Sequence, residues 1–389
     1  MSALRPITGV VRDYPWGSCS ALPDLLGLPR TGEPMAELWL GAHPDDPAVL
    51  TGTGQRLNDV IAADPLGALG DRTQEQFGAA LPYLLKVLAI DKALSIQVHP
   101  SRIQAERGFA AQSGVGGAAR NYQDANHKPE LICALTELTA FCGFRPPART
   151  RDYLRELQAH GELPELGPVA RLLLGPDGLR RAFVWLLENG SAELSKRIAA
   201  ACAGLDPASA WSAAAAATAL GAQDFPGDVG VGVSLLLNVV TLAPGEAIFL
   251  AAGNVHAYLR GVGVEIMANS DNVLRCGFTG KHIDVAELLD IADFSPLDEP
   301  RWRPATRAGV SVFDVPVPDF RLVRGPAAGS VRLAPGLPRI MLCVRGTVEC
   351  ADDTGQTSTL RRGDAAFVAA SSGLDLSCAG DVFIAEPGL

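Results

Sequence analysis

Leu94-Ser95-Ile96-Gln97-Val98-His99-Pro100-Ser101-Arg102-Ile103-Gln104 is the stretch on which the reading of this chain turns. It closes an apolar run, Leu81 to Val98, whose leucine and β-branched content predicts strand. Ser101 followed three residues later by Gln104, just after Pro100, has the form of a capping box, so the strand is expected to end there and a helix to begin. His99 then stands at a strand end. Side chains alternate between the faces of a strand, so Gln97 and His99, two apart, share a face and can reach one ion.

Further along, Asn126-His127-Lys128-Pro129-Glu130 runs into Leu131-Ile132, and the fixed φ of Pro129 stiffens the approach so that Glu130 can enter a strand aimed at the same spot. His256, in Gly253-Asn254-Val255-His256, supplies a fourth candidate. Two imidazoles and a carboxylate recur in catalytic zinc sites, which keep a position open for water or substrate. A histidine at a strand end is also a common hydrogen-bonded structural residue, and the spacing leaves both readings open. His127 and Lys128, taken alone, read equally as solvated loop residues. His43, His160 and His282 have no such neighbours and read as structural or surface residues.

The strand pattern returns after residue 226 with an internal echo. Gly245-Glu246-Ala247-Ile248-Phe249-Leu250-Ala251-Ala252 has the shape of Gly363-Asp364-Ala365-Ala366-Phe367-Val368-Ala369-Ala370, a Gly-acid turn and then a strand. That arrangement suits the double-sheet jelly rolls of the cupin type, with ordinary β-sandwich turn chemistry as the alternative. The first copy continues to His256 and the second to Ser371-Ser372-Gly373-Leu374, so only the first can hold a metal. Between the β-rich zones, stretches such as RDYLRELQAH, LRRAFVWLLEN and SKRIAAACAGL carry apolar residues three or four apart and predict helices, with Asp206-Pro207 as an N-cap and first helical residue. The first zone reads as strand-rich. The expected fold is mainly β with a helical insertion: a metal-binding jelly roll from 1–147 and 226–297, helices over 148–225, and a metal-free C-terminal jelly roll over 298–389.

Composition narrows the function. The 389 residues carry 33 Lys+Arg against 43 Asp+Glu, a net charge of −10, which argues against non-specific binding of nucleic acid and means that a bound phosphate should be small and enclosed. Hydrophobic residues at 48% against 20% charged exclude global disorder. The eight cysteines are scattered without a C-x-x-C and read as reduced cytosolic thiols. The N-terminal residues lack the apolar core of a signal peptide, and the longest apolar stretch, Val231 to Ala243, is too short to span a membrane. A cytoplasmic protein is expected and, without coiled-coil heptads, a monomer.

Glu265 to Lys281 is dense in Asn, Ser, Asp, Arg and Lys between apolar segments, as site-lining loops are. Arg275, through its bidentate fork, and Lys281, as a point charge, could clamp a phosphate; a hydrophilic turn with a surface ion pair is the plainer alternative.

Together with Tyr14-Pro15-Trp16-Gly17, Ala36-Glu37-Leu38-Trp39-Leu40-Gly41-Ala42-His43-Pro44, Gly253-Asn254-Val255-His256-Ala257-Tyr258 and Ser270-Asp271-Asn272-Val273-Leu274-Arg275, these motifs resemble, in order and over essentially the whole chain, the type I mannose-6-phosphate isomerases. The resemblance implies one zinc per chain held by Gln97, His99, Glu130 and His256, and Arg275 as the essential active-site arginine. It also implies a pocket lined by Lys86, Ser95, Lys128, Tyr258, Asp271 and Lys281, with Trp16 at its rim. Gly280 departs from the proline often found before the lysine. The implied reaction exchanges mannose 6-phosphate and fructose 6-phosphate through an enediol, supplying GDP-mannose and glycoconjugate synthesis or mannose catabolism. On this reading His127 or Lys128 handles protons, Arg275 stabilises the enediolate or orients the phosphate, and Lys86 and Ser95 add phosphate contacts. An Fe(II) oxygenase built on the same triad, and a silent sugar-binding cupin, are the rival classes.

Overall fold

A computed structural model describes residues 4–112, 120–307 and 309–389. Among them the strands build two large antiparallel sheets, one of eleven strands and one of ten, with helices between. The mainly β fold with a helical insertion, read from the sequence, is the one observed.

The spine of the larger sheet is the long strand His256–Ala268. Its C-terminal half pairs with Tyr83–Ile90 on one side and with Glu130–Ala134 on the other. Its N-terminal half pairs instead with Ile96–Val98 and Leu138–Phe144. One strand can serve both layers because the chain bends at Gly261, where φ is +119 and a Cβ would lie 2.4 Å from the Glu137 carbonyl oxygen. The strand period then sorts side chains. Leu38, Leu85, Val87, Leu131, Val264 and Ile266 face the C-terminal sheet and pack on Ile340, Leu342, Phe367 and Phe383 in one shared core. The residues between them, Glu37, Trp39, Lys86, Glu130 and Glu265, point into the jelly roll. Cutting one of those core leucines to Ala costs about 2–5 kcal/mol, so the wall that carries the polar residues is rigid. Tyr83 adds a polar tie, its hydroxyl donating to the carbonyls of Pro338 and Ala385 at 3.1 and 2.9 Å.

The two Gly-acid copies are structural equivalents. Gly245 and Gly363 have φ of +92 and +90, and each precedes a buried four-residue strand, Ala247–Leu250 and Ala365–Val368. Each acid closes the same turn: Glu246 accepts from the Ala243 N–H and Asp364 from the Arg361 N–H. The capping box is also present, with Gln104 Oε1 accepting from the Ser101 N–H at 2.9 Å.

Three readings change. The first strand, Leu4–Thr8, is hydrogen-bonded to Ala365–Val368 in the C-terminal sheet, so the N-terminal strand crosses the division drawn from sequence. Docking there covers that strand's open edge and buries Leu4 and Ile7. The first zone is not strands alone: besides the expected helix Arg102–Gln112, its described residues form short helices at Ala21–Leu26, Leu57–Ala63, Pro65–Leu69 and Asp71–Phe77. Asp206 does not cap a helix. It accepts from the Ala208 N–H in a local turn, Ser209 reaches across to Glu156, and the helix begins only at Ser212.

The helical insertion, from Pro147–Gly161 to Ser212–Asp224, packs Tyr153, Phe183, Leu186 and Ile198 into a core it shares with Ile96, Val98, Phe141 and Val255 of the jelly roll. All eight cysteines are free, and among the described residues no helix is long and apolar enough to cross a membrane.

Candidate metal centre

Four donors from three chain segments meet inside the jelly roll. Gln97 lies on Ile96–Val98, directly opposite His256, the first residue of the long strand. His99 follows the end of the former strand, and Glu130 opens Glu130–Ala134 with Met267 of the long strand as its partner. His99 Nε2 lies 3.4 Å from Glu130 Oε1, and His256 Nε2 lies 3.4 Å from Glu130 Oε2. The Gln97 amide comes within 3.3 Å of His256 Nε2. The two imidazoles and the carboxylate are each 2% exposed or less.

The protons on the rings follow from their outer contacts. His99 Nδ1 is 2.8 Å from the Asn272 carbonyl oxygen, and His256 Nδ1 is 3.0 Å from that of Asn254. A carbonyl only accepts, so both Nδ1 atoms carry the hydrogen and both Nε2 atoms present bare lone pairs toward Glu130. Burial pushes the His99 pKa down to about 4, with Glu130 opposing, which keeps the ring neutral. Burial alone would raise the Glu130 carboxyl, but Lys128 and His99 outweigh it and hold it well below its ordinary value. Neither His99 Nε2 nor Glu130 Oε2 finds a hydrogen-bond partner of good geometry, although both are buried. Lone pairs aimed at one another in a dry site are repulsive unless a cation lies between them. Two imidazoles, one carboxylate and a Gln97 amide that can turn its oxygen inward suit zinc.

Around this cluster the cations Lys86, Lys128 and Arg275 stand among the carboxylates Glu37, Glu265 and Asp271. Lys128 Nζ lies 3.3 Å from Glu130 Oε1. Lys86 Nζ lies 3.7 Å from Glu37 and 3.8 Å from Glu265, and sits over the Trp39 ring. Burial opposes charge on Lys86, but Glu37 and Glu265 prevail and raise its pKa. Arg275 is the Cα partner of Gln97 on the adjacent strand Leu274–Gly277. Burial lowers the Arg275 pKa, and among the described residues no carboxylate pairs with it. The end of its strand is seated on the segment that follows the helical insertion. Asp228 accepts from the Phe278 and Gly230 N–H groups at 2.7 and 2.6 Å, and Gly277 passes so close that a Cβ would lie 2.3 Å from Gly230 Cα.

The remaining expected residues separate. Ser95 directs its hydroxyl toward Gln97 Oε1 at 3.5 Å, and Tyr258, buried, donates to Glu265 at 3.0 Å. Trp16 stacks on Tyr14 and packs against the inner wall of the jelly roll. Asp271 receives a contact from His43 Nε2 at 3.4 Å, and that contact holds its carboxyl below the usual range. Lys281 is exposed. His127 is turned away from the cluster toward Asp319, with Nε2 and Oδ2 3.0 Å apart. His43, read as structural or surface, is buried beside the pocket. Its Nδ1 accepts from the Asp45 N–H, so the His43, Asp45 and Asp271 group is a hydrogen-bonded chain rather than a second lone-pair cluster.

Sequence reasoning missed Glu265 and Asn272. Burial raises the Glu265 carboxyl to about 8, with Glu130 adding to the effect. A lone acid in Val262-Gly263-Val264-Glu265-Ile266-Met267 was the available signal, since a charge inside a buried strand needs a partner. Asn272 fastens two loops: its Oδ1 accepts from the Gln123 and Asp124 N–H groups and its Nδ2 donates to the Asp124 and Asn126 carbonyls.

Residues 4–147 match a family model described as phosphomannose isomerase type I, catalytic domain. The chain is 37% identical over 383 residues to the mannose-6-phosphate isomerase of Escherichia coli strain K12, covering 95% of each. It is 33% identical over 417 residues to that of Bos taurus, covering 97% of this chain and 96% of the relative. In structure it is similar to a variant of phosphomannose isomerase from Salmonella typhimurium, with a TM-score of 0.90, 34% identity and 100% of both chains covered. A mannose 6-phosphate isomerase structure bound with zinc and yttrium is similar over 100% of both chains, with a TM-score of 0.89 and 34% identity.

Proposed function

The chain belongs to the type I phosphomannose isomerase family, and from that premise we propose that it interconverts mannose 6-phosphate and fructose 6-phosphate through an enediol, using one zinc ion held by Gln97, His99, Glu130 and His256. The observation that carries the proposal is the convergence of bare lone pairs from His99, His256 and Glu130, with an arginine on the neighbouring strand.

Zinc, when bound, supplies a Lewis acid that polarises the sugar carbonyl and offsets negative charge on its oxygen. The other work falls to side chains. Aldose-ketose exchange moves a proton between C1 and C2 while the two oxygens trade protons, so a group beside the metal must take and return one. Lys128 is proposed for this role over His127, because Lys128 Nζ adjoins Glu130 whereas the His127 ring is engaged by Asp319. Arg275, half-buried and with no carboxylate partner among the described residues, stabilises the enediolate or orients the phosphate. Lys86 and Ser95 contribute to substrate binding, Tyr258 and Asp271 line the pocket, and Trp16 and Lys281 serve its rim. Glu265 orients Lys86 and Tyr258, which it contacts from one side each.

The proposal extends to a cytoplasmic monomer whose partner is a small sugar phosphate, not nucleic acid or membrane, with mannose phosphate passing to GDP-mannose synthesis or catabolism. It assigns catalysis to the jelly roll of 1–147 and 226–297, with 148–225 and 298–389 supporting it. Purified protein given mannose 6-phosphate in an assay coupled to fructose 6-phosphate consumption should turn over steadily. No product at high enzyme concentration, with zinc supplied, would overturn the reading.

A further inference from the structure

We infer that Asp319, contributed by the C-terminal region, is a positioning residue for the segment that carries Lys128 and Glu130, and acts on it through His127. The inference rests on Glu130 being a metal ligand, and not on the identity of the sugar.

Residues 120–129 contain neither helix nor strand, so side chains must hold the approach to Glu130 in place. Asn272 and Ser270, from the loop before Arg275, fasten its first half at Asp124 and Asn126. His127 is fastened from elsewhere. Asp319 lies between the strands Val310–Phe313 and Arg321–Arg324 of the other sheet, beside the core residue Phe320, and its side chain is only 2% exposed. Its Oδ2 is 3.0 Å from His127 Nε2, and its Oδ1 accepts from Arg102 Nη2 at 3.2 Å. A carboxylate this buried is retained only with charged or hydrogen-bonding partners, and Arg102 and His127 are the ones provided. Arg102 opens the helix that follows His99, so the network joins the segments on either side of the metal cluster to the metal-free jelly roll.

The coupling to the metal is short. Lys128 follows His127 directly, Pro129 has a fixed φ, and Glu130 comes next, so a shift at His127 has little slack to absorb it. The Ala268 N–H, bonded to the Pro129 carbonyl at 3.2 Å, holds the far end against the long strand. A cavity of about 540 Å³ borders Asp319 and Arg102, so truncation at 319 opens onto existing space and not into a sealed core.

Zinc affinity, measured by competition with a chromophoric chelator, reads the coupling without turnover. Asp319→Ala should weaken zinc binding by about tenfold, as loss of outer support for a ligand does, and lower turnover of mannose 6-phosphate in step. Asp319→Asn, which keeps the shape and one hydrogen bond, should recover most of both. If Asp319 acts through His127, the Asp319→Ala/His127→Ala double variant loses no more than His127→Ala alone. Wild-type zinc affinity in Asp319→Ala, or losses that multiply in the double variant, would overturn the inference. Should Asp319→Ala fail to fold, His127→Ala carries the comparison, and wild-type zinc affinity in that variant overturns the inference. Wild-type protein that binds zinc but does not isomerise the sugar would sink the isomerase reading alone.

Discussion

His99 turns its Nδ1 to the backbone carbonyl of Asn272 at 2.8 Å, while the Asn272 side chain bonds Asp124 and Asn126 on the segment leading to Glu130. One buried asparagine thus orients one metal-facing nitrogen and anchors the approach to a carboxylate that faces it. Asn272→Ala leaves the Gln123 and Asp124 N–H groups without their acceptor and frees the loop. The expected result is a loss of about 1–3 kcal/mol in stability, read by denaturant unfolding of the metal-free protein. Zinc affinity should fall by about tenfold in chelator competition.

Arg275 and Lys281 were both read as phosphate-binding cations, and the structure separates them by burial. Arg275→Ala should lower kcat/KM for mannose 6-phosphate by about 100-fold or more, the scale of removing a preorganised group that faces developing charge. Lys281→Ala, at an exposed site, should change it by less than about fivefold. Melting temperatures of both variants should stay near wild type. Equal effects on turnover would contradict the assignment of the central role to Arg275.

Glu265 gives the metal-free protein a pH signature. Its folded-state pKa is raised from 4.5 to about 8 by burial and by Glu130, so between those values the folded chain holds a proton that the unfolded chain has released. Stability from this group is therefore present below pH 4.5 and is lost as pH rises toward 8. Glu265→Gln removes the titration. Melting curves at pH 5 and pH 8 should show that the stability difference between variant and wild type moves in favour of the variant as pH rises. A difference that stays constant with pH would contradict the raised pKa.

Much of this architecture is written in short-range patterns. The turns at Gly245 and Gly363 and the capping box of Ser101 and Gln104 are local chemistry, and each forms as its residues require. Gln97 and His99 converge because a strand places alternate residues together, whereas His256 and Glu130 reach them through pairings set across the sheet. Long-range pairing is where sequence reading fails. Nothing within Leu4 to Thr8 specifies Ala365–Val368 as its neighbour, and nothing near His127 announces Asp319. Asp206-Pro207 has the right local form for a cap, but the contact of Ser209 with Glu156 redirects the chain.

The claim that His99, His256, Glu130 and Gln97 hold a catalytic zinc is tested most directly by measuring metal content and isomerase activity on one sample, before chelation, after it, and after adding back zinc. The account predicts that activity disappears as zinc is removed and returns at one equivalent per chain, and that His256→Ala neither binds the ion nor turns over substrate. Full activity in metal-free protein, or in His256→Ala, would contradict it.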